Sequence, residues 1–534
     1  MLGLTTEGWG PSTPGDDRGK QSPMASRRDE LNAYTFAKRR ALAAFIQPSP
    51  SGSEESAPRP LRAVVPGLIV GVVVLAVFGA WGMLKPAAKP GWDTPKEHVI
   101  IASKSTTRYV VLKTDGKRQL HPVLNMASAK LLLDADKGDV IKVDESVLDN
   151  GKLPHGATIG IPYAPDRLPS ASEAGSAKRW AVCERPVQGG RAIQKAAFVL
   201  AEREQDRTDG TERLRGGELL YVVGPDKTRY VVDARGRAYR VSATDEHLLR
   251  TLVRSESEPQ RVSREWLATL HRGDRIRFPK VDGVPGADAD VEGLKDPAAN
   301  KVGMVLKARD GDRMRHYVVL PGRVAPVSDF TAHLLLASKD LVDLGQQGLA
   351  RHISPGAFTP DSEWFGAEHR WPSETPKPAN EASTASGSRN TVCNVLRHVD
   401  ADKGRTTLST WAGQDFPAPL PNGSSSAYVT PGSGQFYRQF LGRQTKSGPL
   451  FLATDTGLRY AMQSNSDSAT EDAGIGTSPK QRKEQKRQEQ EARQAQTRLG
   501  YADTEVGLVP AEWSQFLPTG PRLSTAAARQ PQGS

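Results

Sequence analysis
The sequence predicts an α+β protein, with a single transmembrane helix followed by an elongated domain of four degenerate β-rich repeats around a central β domain. Three observations carry this reading. Residues 63–84 (AVVPGLIVGVVVLAVFGAWGML) contain no charge. The tripeptide Tyr-Val-Val recurs, starting at Tyr109, Tyr230 and Tyr317. Two cysteines, Cys183 and Cys393, sit in similar apolar segments, KRWAVCERPV and SRNTVCNVLRHV. At 534 residues the chain is also too long for one small core, since a domain takes about 100–200 residues.

Composition narrows the function classes. Lys and Arg number 72 against 61 Asp and Glu, giving a net charge of +11. The basic residues are scattered, and seven of them fall in one Gln-rich tract between Lys480 and Arg498. No basic and aromatic residues alternate as base stacking requires, so the charge reads as a surface property and no nucleic-acid partner is expected. Two cysteines are too few for a cysteine-based zinc module or an iron–sulfur cluster. There is no phosphate loop, dinucleotide fingerprint, H-E-x-x-H or G-x-S-x-G elbow. No catalytic, cofactor-binding or metal-ligating residue is assigned, and no cofactor is expected.

Taken in order, residues 1–23 carry Gly, Pro and charge without periodicity and read as a disordered extension. Structure-forming sequence starts at Met24, which is the expected initiator. Residues 24–47 read as a cytoplasmic amphipathic helix. Leu31, Tyr34, Leu42, Phe45 and Ile46 recur at helical offsets, with Asp29 and Glu30 in the first turn. Such a stripe suits a partner protein or an anionic membrane surface. After a linker, 48–62, the transmembrane helix 63–84 would be about 33 Å long, enough for a hydrocarbon core of about 30 Å. Trp81 suits an interfacial anchor, and Pro66 falls in the first turn. Gly67, Gly71 and Gly79 share one face, where another helix can approach closely. Lys85, Lys89, Lys96 and Lys104 follow the span and outnumber Arg59 and Arg62 before it, whereas Arg27, Arg28, Lys38, Arg39 and Arg40 favour a cytoplasmic N-terminus.

Beyond the linker 85–98, the repeats occupy 99–168, 216–285, 300–371 and 448–523. The central domain takes 178–215 and 390–447, and residues 524–534 form a tail. Each repeat reads as strand, turn, strand, turn, and then a third strand or helix start, followed by a short helix at Leu131, Leu248 or Leu334. The fourth copy is placed from Pro449 onward. Its insertion, 464–498, reads as disordered or as an exposed helix without an apolar face. A closing motif recurs: Val262-x3-Trp266-x3-Leu270-x2-Gly273 matches Val509-x3-Trp513-x3-Leu517-x2-Gly520, and copy one keeps Leu153-x2-Gly156. Val, Trp and Leu at this spacing are expected as one stripe of a two-turn helix, with Gly as its left-handed stop. The third copy shows no clean closing motif. Tyr109, Tyr230, Tyr317, Trp266, Trp513, Gly273 and Gly520 are therefore assigned to repeat cores rather than to a ligand. Cys183 and Cys393 either close a disulfide, which needs an oxidising compartment, or remain buried thiols in a cytoplasmic domain. The residues alone leave both open.

The basic helix RRDELNAYTFAKRRALAAF, one span, four degenerate repeats, two cysteines and the closing segment LGYADTEVGLVPAEWSQFLPTGPRLSTAAA resemble the EccB family. That family is a core membrane component of the type VII (ESX) secretion apparatus of actinobacteria. The resemblance runs from Met24 to the C-terminus and lies in the order of the motifs more than in any one of them. It implies a single-pass protein of the cell membrane, with its N-terminus cytoplasmic and its C-terminal domain extracytoplasmic. It implies a structural role beside an EccC-like, FtsK-like ATPase, an EccD-like multi-span channel protein and, in mycobacteria, an EccE-like subunit, with self-association. The family's disulfide can only be carried by Cys183 and Cys393, giving a disulfide-linked central β domain. Residues 1–23 and the Gln/Arg-rich insertion depart from the family pattern. Some family members are called ATPases, and the alternatives to a structural subunit are an ATP-hydrolysing component and a cell-wall-binding module. No nucleotide motif in this sequence supports hydrolysis.

Overall fold
The computed structural model describes residues 27–46, 60–84, 88–187, 192–253, 257–383, 385, 387–420, 426–462 and 479–532, with side chains over 64–80 of the second helix and, in the helix 479–499, at 487 and from 490 on. The expected disordered extension 1–23 and residues 464–478 of the insertion lie outside these. The chain divides into two compact units, Met1–Pro86 and Ala87–Ser534.

The first unit holds helices α1 (Arg27–Ile46) and α2 (Pro60–Leu84). Leu31, Tyr34, Leu42, Phe45 and Ile46 on α1 are all exposed. Helix α2 covers the whole expected span, and its apolar side chains from Val64 to Phe78 stand exposed. Among the described residues, no helix is long and apolar enough to cross a membrane. A Cβ added at Gly67, Gly71 or Gly79 would meet nothing within 4 Å, so that face is open.

The second unit is built from small sheets. The first contains β1 (His98–Ala102), β2 (Arg108–Thr114) and β3 (Lys117–Val123), then α3 (Met126–Leu132), β4 (Asp139–Val143) and α4 (Glu145–Leu148). After α5 (Ala171–Gly175) come β5 (Arg179–Pro186) and β6 (Ile193–Leu200). The next sheet follows with β7 (Glu218–Val223), β8 (Arg229–Asp233), β9 (Arg237–Val241), α6 (Glu246–Leu252), β10 (Gln260–Arg261), α7 (Arg264–Ala268) and β11 (His271–Arg272). Then come β12 (Val305–Asp310), β13 (Arg313–Leu320), β14 (Arg323–Val327), α8 (Asp329–Ala337) and β15 (Arg351–His352), with β16 (Lys377–Pro378) returning to pair with β7. Strands β17 (Thr391–Val399), β18 (Thr406–Gly413) and β19 (Ala427–Val429) precede the last sheet. That sheet holds β20 (Gly434–Phe440), β21 (Leu450–Thr454), β22 (Arg459–Ala461) and β23 (Gly507–Pro510), with α9 (Pro479–Leu499) inserted before β23 and α10 (Ala511–Ser514) and α11 (Thr525–Ala528) after it.

Four sheets share one plan. Three strands form an antiparallel meander, and a later strand joins parallel to the first: β3-β2-β1-β4, β9-β8-β7-β10, β14-β13-β12-β15 and β22-β21-β20-β23. The local chemistry recurs as well. Asn125, Asp245 and Ser328 each precede a helix and accept the amide of Ser128, Leu248 or Thr331 at 3.0 Å, which satisfies one orphan donor of the first turn. The fourth sheet begins at β20, within residues 390–447, so Pro449 marks its second strand and not its start.

The fifth sheet has the order β18-β17-β5-β6-β19 and contains both cysteine strands. One of its faces is covered by the second and fourth small sheets, in a single apolar core that includes Trp180, Val182, Val222, Trp266, Tyr437, Phe451 and Trp513. The outer two sheets attach to the inner two. The first packs on the fourth through α3, α9 and α11, burying Leu131, Leu452, Tyr460, Leu499 and Ala528 together. The third packs on the second through α8 and α6. Here His247 Nε2 donates to the Ala337 carbonyl at 2.6 Å, and His333 Nε2 donates to the Thr251 carbonyl at 2.9 Å. Each helix thus supplies a histidine to the C-terminal carbonyls of the other.

Three sequence expectations change. The closing motif is not a two-turn helix: Val262 and Val509 lie at strand ends, Trp266 and Trp513 on one-turn helices, and Leu270 and Leu517 beyond them, although all six are buried. The insertion helix does have a packed face, because Ala492, Ala495 and Leu499 are each 1% exposed. The third sheet also closes, through a parallel bridge between Val324 and Pro360.

The closing glycines differ from expectation as well. Gly156, Gly273 and Gly520 are not left-handed, since none has a positive φ. A Cβ at these positions would instead lie 2.2 Å from the His121 ring, 2.3 Å from the Tyr239 ring and 2.5 Å from the Tyr460 ring. Each glycine amide donates to the residue just before its ring, Leu120, Ala238 or Arg459, so an aromatic ring lies flat on a backbone without a side chain. In the third sheet Asp361 makes the equivalent bond to Val324, and the residue in the ring position is Ala325. Ring plus glycine becomes alanine plus aspartate, and Asp361 then pairs with Arg323 at 2.5 Å. Gly273→Ala is therefore expected to destabilise the chain by about 1–3 kcal/mol, the usual cost of overpacking. With Tyr239→Ala already in place, Gly273→Ala should cost much less, because the ring it would strike is gone. Chemical denaturation checks this, and full stability in the single variant would rule the ring contact out as the cause.

Candidate functional site: the cystine sheet and its tryptophan clamps
Alternation along β5 sends Trp180, Val182 and Glu184 to one face of the fifth sheet and Ala181 and Cys183 to the other. Strand β17 pairs with it in antiparallel register, with Cys393 directly opposite Cys183. The two form a disulfide and are both fully buried, among Phe198, Val395 and Trp411.

The opposite face holds the clamps. Trp266 is wholly buried, and its indole N–H donates to the Val182 carbonyl at 3.1 Å. Trp180 Nε1 donates to Gln435 Oε1 at 2.7 Å, and its ring meets Tyr437 edge-on at 5.5 Å. Tyr437 and Ser514 share a hydrogen bond of 2.8 Å. Trp513, on the neighbouring one-turn helix, is 2% exposed. Glu184, fully buried, accepts the Ser263 amide at 2.8 Å and is also bonded to its hydroxyl, which ties β5 to the start of α7. Burial pushes its carboxyl above the usual range, against the pull of the Ser263 bonds. At one sheet end, Asp209 gathers Arg179, Arg213 and Arg397 at 2.5, 3.0 and 2.5 Å. Burial, then the nearby Arg179, lowers the Arg397 guanidinium to about 10. These contacts fix the small sheets against the cystine sheet.

The other assigned residues stay apart from this junction or border it. Tyr109, Tyr230 and Tyr317 occupy the same place on β2, β8 and β13, each paired to the third strand of its sheet. Tyr317 is buried edge-on to Phe358 at 5.1 Å, and Tyr109 is half-buried against His155 at 5.9 Å. His121, Tyr239 and Tyr460, the rings over the closing glycines, went unnoticed in the sequence. The signal lay in pairs, because each ring precedes its glycine by one sheet crossover. Among the described residues, no group of three His, Cys, Asp or Glu could hold a metal ion. A cavity of about 550 Å³ beside α7 is lined by Lys195, Arg261, Arg264 and Glu265. Lys195 and Glu265 pair there at 2.9 Å, which holds the Glu265 carboxyl at about 2.

Small sheets clamped on a cystine-tied sheet by Trp180, Trp266, Tyr437 and Trp513 define a multi-lobed, β-rich class of protein. Residues 24–533 match the family described as "Type VII secretion system ESX-1, transport TM domain B", and the chain belongs to that family. It is similar to the ESX-1 secretion system ATPase EccB1 of Mycobacterium tuberculosis (strain ATCC 25618 / H37Rv), 26% identical over 65% of this chain and 67% of the relative. It is also similar to the ESX-3 secretion system ATPase EccB3 of Mycolicibacterium smegmatis (strain ATCC 700084 / mc(2)155), 25% identical over 78% and 79%. The fold matches a chain in an intact ESX-5 inner membrane complex, with a TM-score of 0.54 at 19% identity over 97% of both chains. It matches an EccB3 dimer from the ESX-3 core complex with a TM-score of 0.52 at 21% identity, over 81% of this chain and 99% of that one.

Proposed function
We propose that this chain is a membrane-anchored structural subunit of a type VII (ESX) secretion complex. It would assemble with a second copy of itself, an EccC-like FtsK-like ATPase, an EccD-like channel protein and an EccE-like subunit. The single observation that carries this is the family match over 24–533, which includes helix α2 as well as the small sheets. Helix α2 has 25 residues, about 37 Å at 1.5 Å each, against a hydrocarbon core of about 30 Å. We read it as the single span, with α1 cytoplasmic and the cystine-bearing unit outside, where a disulfide persists. The repeat and central-domain boundaries of the sequence reading, with the first unit of the last sheet moved back to β20, are part of this proposal.

Affinity capture of the full chain from detergent-solubilised membranes tests it. Co-purification of an FtsK-like ATPase and a multi-span protein is expected, and a chain recovered alone would overturn the reading. The open face at Gly67, Gly71 and Gly79 is proposed to take a neighbouring span. Gly71→Leu should then reduce complex yield on a native gel while membrane insertion stays normal, and an unchanged yield would remove that role.

The relatives' names favour a second reading, ATP hydrolysis. A nucleotide site gathers amides or cations around phosphate, usually at a glycine-rich loop entering a helix. The closing glycines Gly156, Gly273 and Gly520 and the aromatics of the sheet junction are occupied in packing instead. Hydrolysis by the purified chain, abolished by one point substitution that spares the fold, would decide for the second reading.

A further inference from the structure
One exposed aromatic is held in place against the preference of its own backbone. Tyr163 is 89% exposed and has a φ of 62°. It is the third residue of the turn Ile161-Pro162-Tyr163-Ala164, closed by the Ala164 amide donating to the Ile161 carbonyl at 3.2 Å. Proline sets a φ near −65° at the second position, and a positive φ at the third makes this a type II turn, whose third residue is ordinarily glycine. A bulky side chain there is strained.

The frame around the turn is rigid. Ile161 donates its amide to Ser128 Oγ at 2.8 Å, and Asn125 Nδ2 donates to the Ile161 carbonyl at 2.7 Å. The Ala127 amide donates to the Pro165 carbonyl at 3.2 Å, so both ends of the turn are pinned to the start of α3. Ile161 and Ala164 are buried, at 4% and 8% exposure, and supply the packing. The tyrosine ring adds nothing to it. Strain kept for a side chain that this chain does not use points to a use outside the chain.

The surroundings say what kind of surface would meet it. Leu124 is 41% exposed and lies against Gly160, where an added Cβ would come within 3.1 Å of its Cβ. Two ion pairs flank the turn, Arg108 with Asp166 at 2.5 Å and Arg167 with Asp455 at 3.8 Å. Positive and negative groups are equal in number, so two copies of this surface can face each other about a two-fold axis without an excess of like charge.

We propose that the turn 161–164 anchors self-association, with Tyr163 of one copy seated on the surface around Leu124 of a second copy, and reciprocally. The proposal rests on the self-association included in the proposed function and adds the surface that makes it. Tyrosine suits the task, because a rigid ring contributes large contact area at small cost in side-chain entropy.

The test uses the full chain in detergent. Tyr163→Gly keeps the turn and relieves its strain, so the thermal midpoint should hold or rise. Self-association should weaken about tenfold or more, as removal of an interface anchor does. A residue with only a structural role would lower the midpoint instead. A photoreactive phenylalanine analogue at position 163 gives the second readout, and the mass of its cross-linked product should equal two copies of this chain. Cross-linking to a different subunit or to lipid would overturn the proposal. So would a glycine variant that dimerises as tightly as an associating parent chain. A parent chain that stays monomeric would instead strike at the self-association reading itself.

Discussion

Replacing Trp266 with alanine is expected to lower the unfolding free energy of the chain by about 3–5 kcal/mol, the range for removing a buried indole. The ring is 0% exposed and fills the junction between the cystine sheet and the second small sheet. Its loss leaves a cavity and also an unpaired Val182 carbonyl, which adds a desolvation cost. Trp266→Phe keeps most of the volume and loses the hydrogen bond, so it should cost less than half as much. Trp364, 44% exposed, is the control, and Trp364→Ala should change stability by less than about 0.5 kcal/mol. Denaturant midpoints compared at equal slope measure all three. Equal, small losses at positions 266 and 364 would show that the clamp does not hold the sheets together.

The second large effect concerns the disulfide. Cys183 and Cys393 are 210 residues apart, and closing such a loop stabilises a folded chain by about 5 kcal/mol in the ideal chain-entropy limit. Measured values usually fall below that limit, so the paired substitution Cys183→Ala/Cys393→Ala should lose about 2–5 kcal/mol. Both residues are wholly buried, so a mild reductant should leave the native bond intact until denaturant opens the sheet. Free-thiol labelling against denaturant concentration reads this directly. Rapid reduction in native buffer would show that the two strands part far more readily than the five paired positions of their ladder imply.

Much of this architecture was legible because it repeats. The Tyr-Val-Val strands fall at one register position in three sheets, and the helix after each meander lies where the leucines put it. The Val, Trp and Leu of the closing motif are buried as their pattern required, although the pattern implied the wrong backbone. Spacings of four residues suit a helix, but they also suit a strand end, one helical turn and an extended exit. The glycines misled for a related reason. A glycine after a helix usually marks a left-handed turn, whereas here it makes room for a ring from a strand 34 to 60 residues earlier, a distance that local pattern does not span. The third sheet hid its closure because it meets the same steric demand with Ala325 and Asp361. Glu184 and the arginines around Asp209 carried no signal, since their partners come from distant segments. Tyr163 gave no hint either, because a positive φ is invisible in the sequence.

Contacts between segments far apart in the chain govern how the first sheet can fold. Gln532 Nε2 donates to the Gly160 carbonyl, a partner 372 residues upstream, and Arg498 reaches the Leu131 carbonyl across 367 residues. The first sheet is therefore completed by residues that the ribosome adds more than 300 positions later. A ribosome-bound or truncated chain carries Leu131, Leu132 and Val123 without their cover, and that bare patch is what chaperones and proteases recognise. A chain cut short before α9 would therefore leave the apolar face of α3 and β3 without the residues that cover it in the folded protein.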